Sequence, residues 1–205
     1  PIFLFLYFVH KIFMGRKFVS ISCLIIGILP LFALLWSLDR GVFVTVIYIP
    51  LLIILAFNKK FHEISFIITS SIVSFLLFFF FLGSFEFNHF LSNSLDIILS
   101  SDLLNGIKHP VPFTNEYGSS RATKNLLLII LNGFFIINYL FNKKPNLQKN
   151  LVLFILIFYF LSIVFYKIGL TRSDGGHIKQ GGSLNLVIFL YLFIYNFLFH
   201  IEQKK

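Results

Sequence analysis

Charged side chains are scarce in this 205-residue chain: they make up 12% of its residues, about half the share found in soluble domains. Hydrophobic residues make up 58%, and the mean hydropathy is +0.90. This composition excludes a disordered chain and argues strongly against a soluble globular enzyme, because both need many more charged side chains. The sequence therefore predicts an all-α integral membrane protein, built as a bundle of transmembrane helices.

Cysteine is nearly absent as well. The single Cys23 lies in an apolar run, so the sequence offers neither a disulfide framework nor a cysteine-based metal site. No two of the six histidines have the i, i+4 spacing of a helical zinc site, and we expect no metal site from these residues. Phenylalanine, in contrast, occurs 30 times. We interpret Phe-rich stretches such as 78–81 as lipid-facing side chains and not as a ligand-binding site.

Long apolar runs recur along the chain, and a spanning helix needs about 20 mostly apolar residues. The runs predict six spans, at Phe18–Trp36, Val42–Phe57, Ile64–Gly83, Leu126–Phe141, Leu151–Tyr166 and Leu184–Phe199. The sequence begins at Pro1 without a methionine, so we interpret Ile2–Val9 as the end of a truncated earlier span. We predict a single transmembrane helical domain over residues 1–205, belonging to a longer chain.

The connections between these spans differ in charge. If they alternate sides, ten of the 17 Lys and Arg residues share one face, while six of the eight acids lie on the other. The positive-inside rule places the ten in the cytoplasm. The connections 37–41, 84–125 and 167–183 are then extracytoplasmic, and a bacterial inner membrane is the expected location. The basic residues form separate short clusters rather than one basic face, which argues against nucleic-acid binding.

The first polar motif is the short connection from Trp36 to Gly41, which holds Asp39 and Arg40. One interpretation is a tight turn at the membrane surface, with Trp36 as an interfacial anchor and Gly41 providing a positive φ. The other makes Asp39 a catalytic base or a metal ligand, and Arg40 a phosphate-binding residue.

The second motif is the long connection 84–125. Apolar residues in Asn88–Leu104 have the spacing of an amphipathic helix in the membrane interface, and residues 105–118 read as an irregular, ordered loop. Ser119 or Ser120 could then cap the next helix, whose first turns carry Arg121 and Lys124. This arrangement is either a plain cover loop or an anion-binding site.

The third motif, residues 171–182, combines an Arg, an Asp, a His, a Lys and four glycines. Arg172 suits a bidentate phosphate contact, and Lys179 would add a point charge. Asp174 could fix the tautomer of His177, which would then act as a general acid or base. The alternative is a flexible polar turn, because glycines are common in turns.

These features together resemble polytopic lipid-linked glycosyltransferases of the GT-C type. The segment "LTRSDGGHI" resembles an Arg-Ser-Asp-x-x-His element of such bacterial membrane proteins, and "SSRATK" is similar to outer loops of O-antigen ligases and polymerases. Both resemblances imply transfer of a sugar from a polyprenyl-phosphate carrier, with membrane lipids and the lipid-linked sugar as partners. The GT-C resemblance implies Asp39 as base, whereas the residue chemistry alone favours His177.

The sequence thus predicts one outward cavity lined by Asp39, Arg40, Arg121, Arg172, Asp174 and His177. The expected catalytic residues of the protein are Asp39, Asp174 and His177, and the expected phosphate- or substrate-binding residues are Arg40, Arg121, Lys124, Arg172 and Lys179. The sequence does not identify a cofactor, and a divalent metal is one candidate. A membrane transporter or flippase of lipid-linked or small solutes is the alternative, since transporters also place polar groups among apolar helices.

Overall fold

The structure is a computed structural model that describes residues 2–14, 18–100, 110–141, 149–171 and 175–202. These ranges contain helices and short connections, and no strand. The eight helices found there are α1 (Ile2–Phe13), α2 (Val19–Trp36), α3 (Leu38–Phe57), α4 (Phe61–Leu82), α5 (Ser84–Leu99), α6 (Ser119–Phe141), α7 (Lys149–Thr171) and α8 (Gly175–Glu202). The predicted all-α class is confirmed.

Five of the described helices are long and apolar enough to cross a membrane: α2, α4, α6, α7 and α8. This is the property expected of an integral membrane protein. The apolar part of α3, Gly41–Phe57, and the whole of α1 are shorter. The predicted total of six spans with a truncated seventh therefore stays a prediction.

The chain forms two compact units, residues 1–101 and 102–205. The first contains α1 to α5 and the second contains α6 to α8. The single domain over residues 1–205 stays a prediction, and each unit has its own internal packing.

In the first unit, α2 packs against α3 and α4. A Cβ atom at Gly27 would overlap the Ser70 side chain and the Ile67 carbonyl oxygen, so only glycine lets α2 and α4 approach this closely. Gly41 has a similar role, because a Cβ there would overlap Leu34 of α2. The expectation of a positive φ at Gly41 was wrong, because this residue lies inside the helix α3.

The helix α5 has no buried residue and packs on α4 through aromatic rings. The rings of Phe87 and Phe90 meet that of Phe78 edge to face, at centroid distances of 6.0 and 5.3 Å. The predicted amphipathic helix was Asn88–Leu104, whereas the observed helix begins at Ser84 and ends at Leu99. Its location in the membrane interface stays a prediction.

The second unit is a bundle of three helices, in which α7 runs antiparallel to α6 and α8. An apolar cluster occupies one end, formed by Ile136, Tyr139, Val152, Ile155, Ile188 and Leu192. Toward the other end, α7 and α8 approach through two glycines. A Cβ at Gly181 would lie 2.7 Å from the Phe165 carbonyl oxygen and 3.2 Å from the Gly169 Cα.

This close packing corrects the third predicted connection. Residues 167–183 were expected to form a glycine-rich polar loop, but α7 continues to Thr171 and α8 begins at Gly175. Gly169 and Gly181 provide space between the two helices, so these glycines serve helix packing instead of a turn.

The sidedness of the second unit can be tested by cysteine labelling. In a background with Cys23 replaced by Ala, we introduce Tyr117→Cys before α6 or Asn150→Cys at the start of α7. Both residues are exposed and lie at opposite ends of the bundle. A membrane-impermeant maleimide added to intact cells should label position 117 only; labelling at 150 alone would contradict the predicted topology.

The close contact of α2 and α4 predicts that Gly27→Val destabilises the first unit. Overpacking a tight contact costs about 1–3 kcal/mol, because the helices must separate to make room. Thermal unfolding of the detergent-solubilised protein measures this loss. The matched control is Ser20→Val on an exposed position of the same helix, and equal effects of the two substitutions would argue against the close contact.

Candidate functional site

Four of the predicted site residues lie on the first turns of two neighbouring helices. Arg121 and Lys124 are on α6, and His177 and Lys179 are on α8. The side chains of the two lysines and the arginine are exposed, and His177 is half-buried. The structure thus brings these four residues to the same end of the second unit.

The remaining predicted residues are not described in the same detail. Asp39 and Arg40 belong to the first turn of α3 in the other unit, and their side chains lie outside the described residues. Arg172 and Asp174 also lie outside the described residues. The single cavity that would unite six of the site residues therefore stays a prediction.

The starts of α6 and α8 are joined by a hydrogen bond. The Asn125 side chain donates from Nδ2 to the Ile178 carbonyl oxygen over 2.8 Å, and Ile178 is itself buried. A Cβ at Gly182 would overlap the Asn125 amide, so glycine at this position makes the contact possible. Since Asn125 follows Lys124 and Ile178 lies between His177 and Lys179, this bond fixes the two groups of candidate residues on adjoining turns.

The segment before α6 folds onto the first turns of that helix. The buried Ser119 hydroxyl donates to the Val111 carbonyl oxygen over 2.7 Å and accepts from the Thr114 N–H over 3.0 Å. Thr123 accepts from the Phe113 N–H over 2.8 Å. Ser119, proposed above as a helix cap, therefore holds the loop 110–118 against α6.

The same loop also contacts α8, and α7 contacts α6. Gly118 has a φ of +82°, and a Cβ there would lie 3.0 Å from Ile178 Cδ1. The Tyr166 hydroxyl of α7 donates to the Ala122 carbonyl oxygen over 3.1 Å. The loop and all three helices therefore meet at this end of the bundle, which we call the loop end.

A second group of polar residues, which the sequence analysis did not identify, lies deeper in the bundle. Asn132, Ser162 and Asn185 are each fully buried. Asn132 donates from Nδ2 to the Asn185 carbonyl oxygen over 2.9 Å. Two of these residues could have been found in the sequence, because each is an isolated asparagine within an apolar run, "LLLIILNGFF" for Asn132 and "SLNLVIFL" for Asn185. We call these three residues the buried polar layer.

No group of three or more His, Cys, Asp or Glu side chains suited to a metal ion occurs among the described residues. Asp174 lies outside those residues, so a divalent metal stays an open candidate. Comparisons of the chain with protein-family models, with curated proteins and with solved structures find no match. The function must therefore be argued from the residues of the site.

The two adjacent serines at the start of α6 provide a matched test of the loop contact. Ser119→Ala removes the hydroxyl that binds Val111 and Thr114, whereas Ser120→Ala changes an exposed residue. Loss of a buried hydrogen-bonding partner costs about 1–3 kcal/mol. We expect faster hydrogen exchange in residues 110–118 of the Ser119 variant only; equal exchange in both variants would show that Ser119 does not hold the loop.

Proposed function

We propose that the protein is an integral membrane glycosyltransferase that uses a polyprenyl-phosphate-linked sugar at the extracytoplasmic face. The observation that supports this most directly is the contact between Asn125 and Ile178, which places the cations of α6 beside the start of α8. The proposal also draws on the resemblance of residues 119–124 and 170–178 to membrane proteins that handle lipid-linked sugars.

Phosphate is the substrate group that best suits the loop end. Arg121, Lys124 and Lys179 are exposed there, and exposed Lys and Arg side chains bind phosphate by charge-assisted hydrogen bonds. These residues lie at the ends of membrane-length helices, where the phosphate of a lipid carrier would meet the protein while its tail stays in the bilayer.

In the proposed reaction, an acceptor hydroxyl attacks the anomeric carbon of the donor sugar. The new glycosidic bond forms as the bond from that carbon to the phosphate oxygen breaks, and the polyprenyl carrier leaves with its phosphate. Asp39, or His177 paired with Asp174, would take the proton of the acceptor. Arg172 would join Arg121, Lys124 and Lys179 in binding phosphate.

A transporter or flippase is the second candidate, and one observation favours it. The buried polar layer places Asn132, Ser162 and Asn185 among the apolar helices of the second unit, and transporters bind solutes at such depths. The three side chains are uncharged, which suits a neutral solute better than a phosphate. Flux of a lipid-linked sugar across proteoliposomes, without any transfer product, would favour this candidate.

The proposed phosphate contact predicts weaker carrier binding when two cations are removed. We expect the Arg121→Gln, Lys179→Gln double variant in nanodiscs to bind fluorescent polyprenyl phosphate about tenfold more weakly, because each exposed charge pair contributes up to about 1 kcal/mol. Transfer from a radiolabelled lipid-linked sugar should fall in parallel.

The matched control is Lys149→Gln, which removes an exposed cation at the start of α7, at the opposite end of the bundle. This variant should bind the carrier as the unmodified protein does. Equal losses in both proteins would indicate general attraction to the charged chain, and unchanged binding in the double variant would remove the loop end from the proposed site.

A further inference from the structure

The buried polar layer lies well inside the second unit. Asn132 on α6, Ser162 on α7 and Asn185 on α8 each have 0% of their surface exposed. Asn132 is about 20 Å along α6 from Ser119, at a rise of about 1.5 Å per residue. The layer is therefore separated from the loop end by more than three helical turns.

Two side-chain atoms of this layer lack partners. Within the part of the chain that the structure describes, Asn132 Oδ1 and Asn185 Nδ2 are buried and make no hydrogen bond. Buried polar atoms in native proteins almost always have a partner, in protein or in ordered water. The requirement is stronger among membrane-length helices, where lipid offers neither donors nor acceptors.

The hydrogen bonds of the Ser162 hydroxyl are a second sign that the polar groups of this layer are not fully paired. Its oxygen lies 2.7 Å from the Tyr159 carbonyl oxygen and 2.6 Å from Asn185 Oδ1. A hydroxyl has one hydrogen and can donate to only one of these two acceptors. If the Asn185 amide turns by 180° about its last bond, Nδ2 donates to Ser162, and Oδ1 becomes the atom without a partner.

Both orientations of Asn185 leave two unpaired atoms, and these atoms define the ligand. They are an acceptor and a donor in one orientation and two acceptors in the other. An anion cannot bind an amide oxygen. A cation would be repelled by Nδ2 in the first orientation of Asn185. In both orientations a cation would also be buried without a counter-charge from this layer. Water donates two hydrogen bonds and accepts two, so it fits both.

We propose that the buried polar layer binds one water molecule, which bridges the side-chain amides of Asn132 and Asn185. Gly133 beside Asn132 lacks a side chain, and a Cβ there would lie 2.7 Å from the Tyr159 hydroxyl, so a further polar group borders the layer. The bound water would satisfy α6 and α8 together. This inference is independent of the proposed glycosyltransferase function.

The test uses the full chain in lipid bilayers, labelled with ¹⁵N and studied by proton-detected solid-state NMR. Magnetisation transfer from water should give cross-peaks at the side-chain amides of both Asn132 and Asn185. Their absence from the folded, unmodified protein would overturn the proposal. Amide shifts that follow replacement of sodium by choline would also overturn it, because they would identify the ligand as a cation.

Two variants separate a bridging water from general hydration. Asn132→Leu should remove the water cross-peak at the Asn185 amide, because the bridge then has only one end. Asn138→Leu, at an exposed position of the same helix, should leave that cross-peak unchanged. Retention of the cross-peak in a folded Asn132→Leu protein would contradict the bridge; if that variant does not fold, the measurement on the unmodified protein decides.

Discussion

Hydrogen bonds from side chains to backbone carbonyl oxygens hold neighbouring elements together in both units. Each carbonyl oxygen in a helix retains a second lone pair, which gives a donor between apolar helices a partner that lipid cannot offer. Contacts of this type in the described ranges are Tyr48 to Ile67, Lys60 to Ile12, Asn125 to Ile178, Asn132 to Asn185 and Tyr166 to Ala122. Each contributes only about 0.6 kcal/mol on average, but each also requires a particular alignment of two elements.

Glycine makes these bonds possible by letting backbones come close. Gly182 leaves room for the Asn125 amide, and Gly27 leaves room for Ser70 and the Ile67 carbonyl oxygen that also accepts from Tyr48. Without a hydrophobic driving force between helices in lipid, close packing and polar contacts provide most of the attraction. The glycines and the polar donors therefore act on the same contacts.

The fold class could be predicted from sequence because it depends on composition and on the length of apolar runs. The prediction of a loop at 167–183 was wrong because glycine is common in turns. The role of Gly169 and Gly181 in helix packing depends on which helix lies opposite them. The buried polar layer was missed for a similar reason: Asn132 and Asn185 become partners only through packing. Arg121 and Lys179 were identified as separate cations, but their placement on adjoining helices needed the Asn125 contact.

The contact between α6 and α8 extends from the buried polar layer to the loop end. Asn125 and Asn132 bind carbonyl oxygens at Ile178 and Asn185, two positions seven residues apart on each helix. A slip of one helix along the other would break both bonds at once, so together they fix the height of the two helix starts. Cations at those starts are then held on adjoining turns, which is the arrangement that the proposed phosphate contact requires.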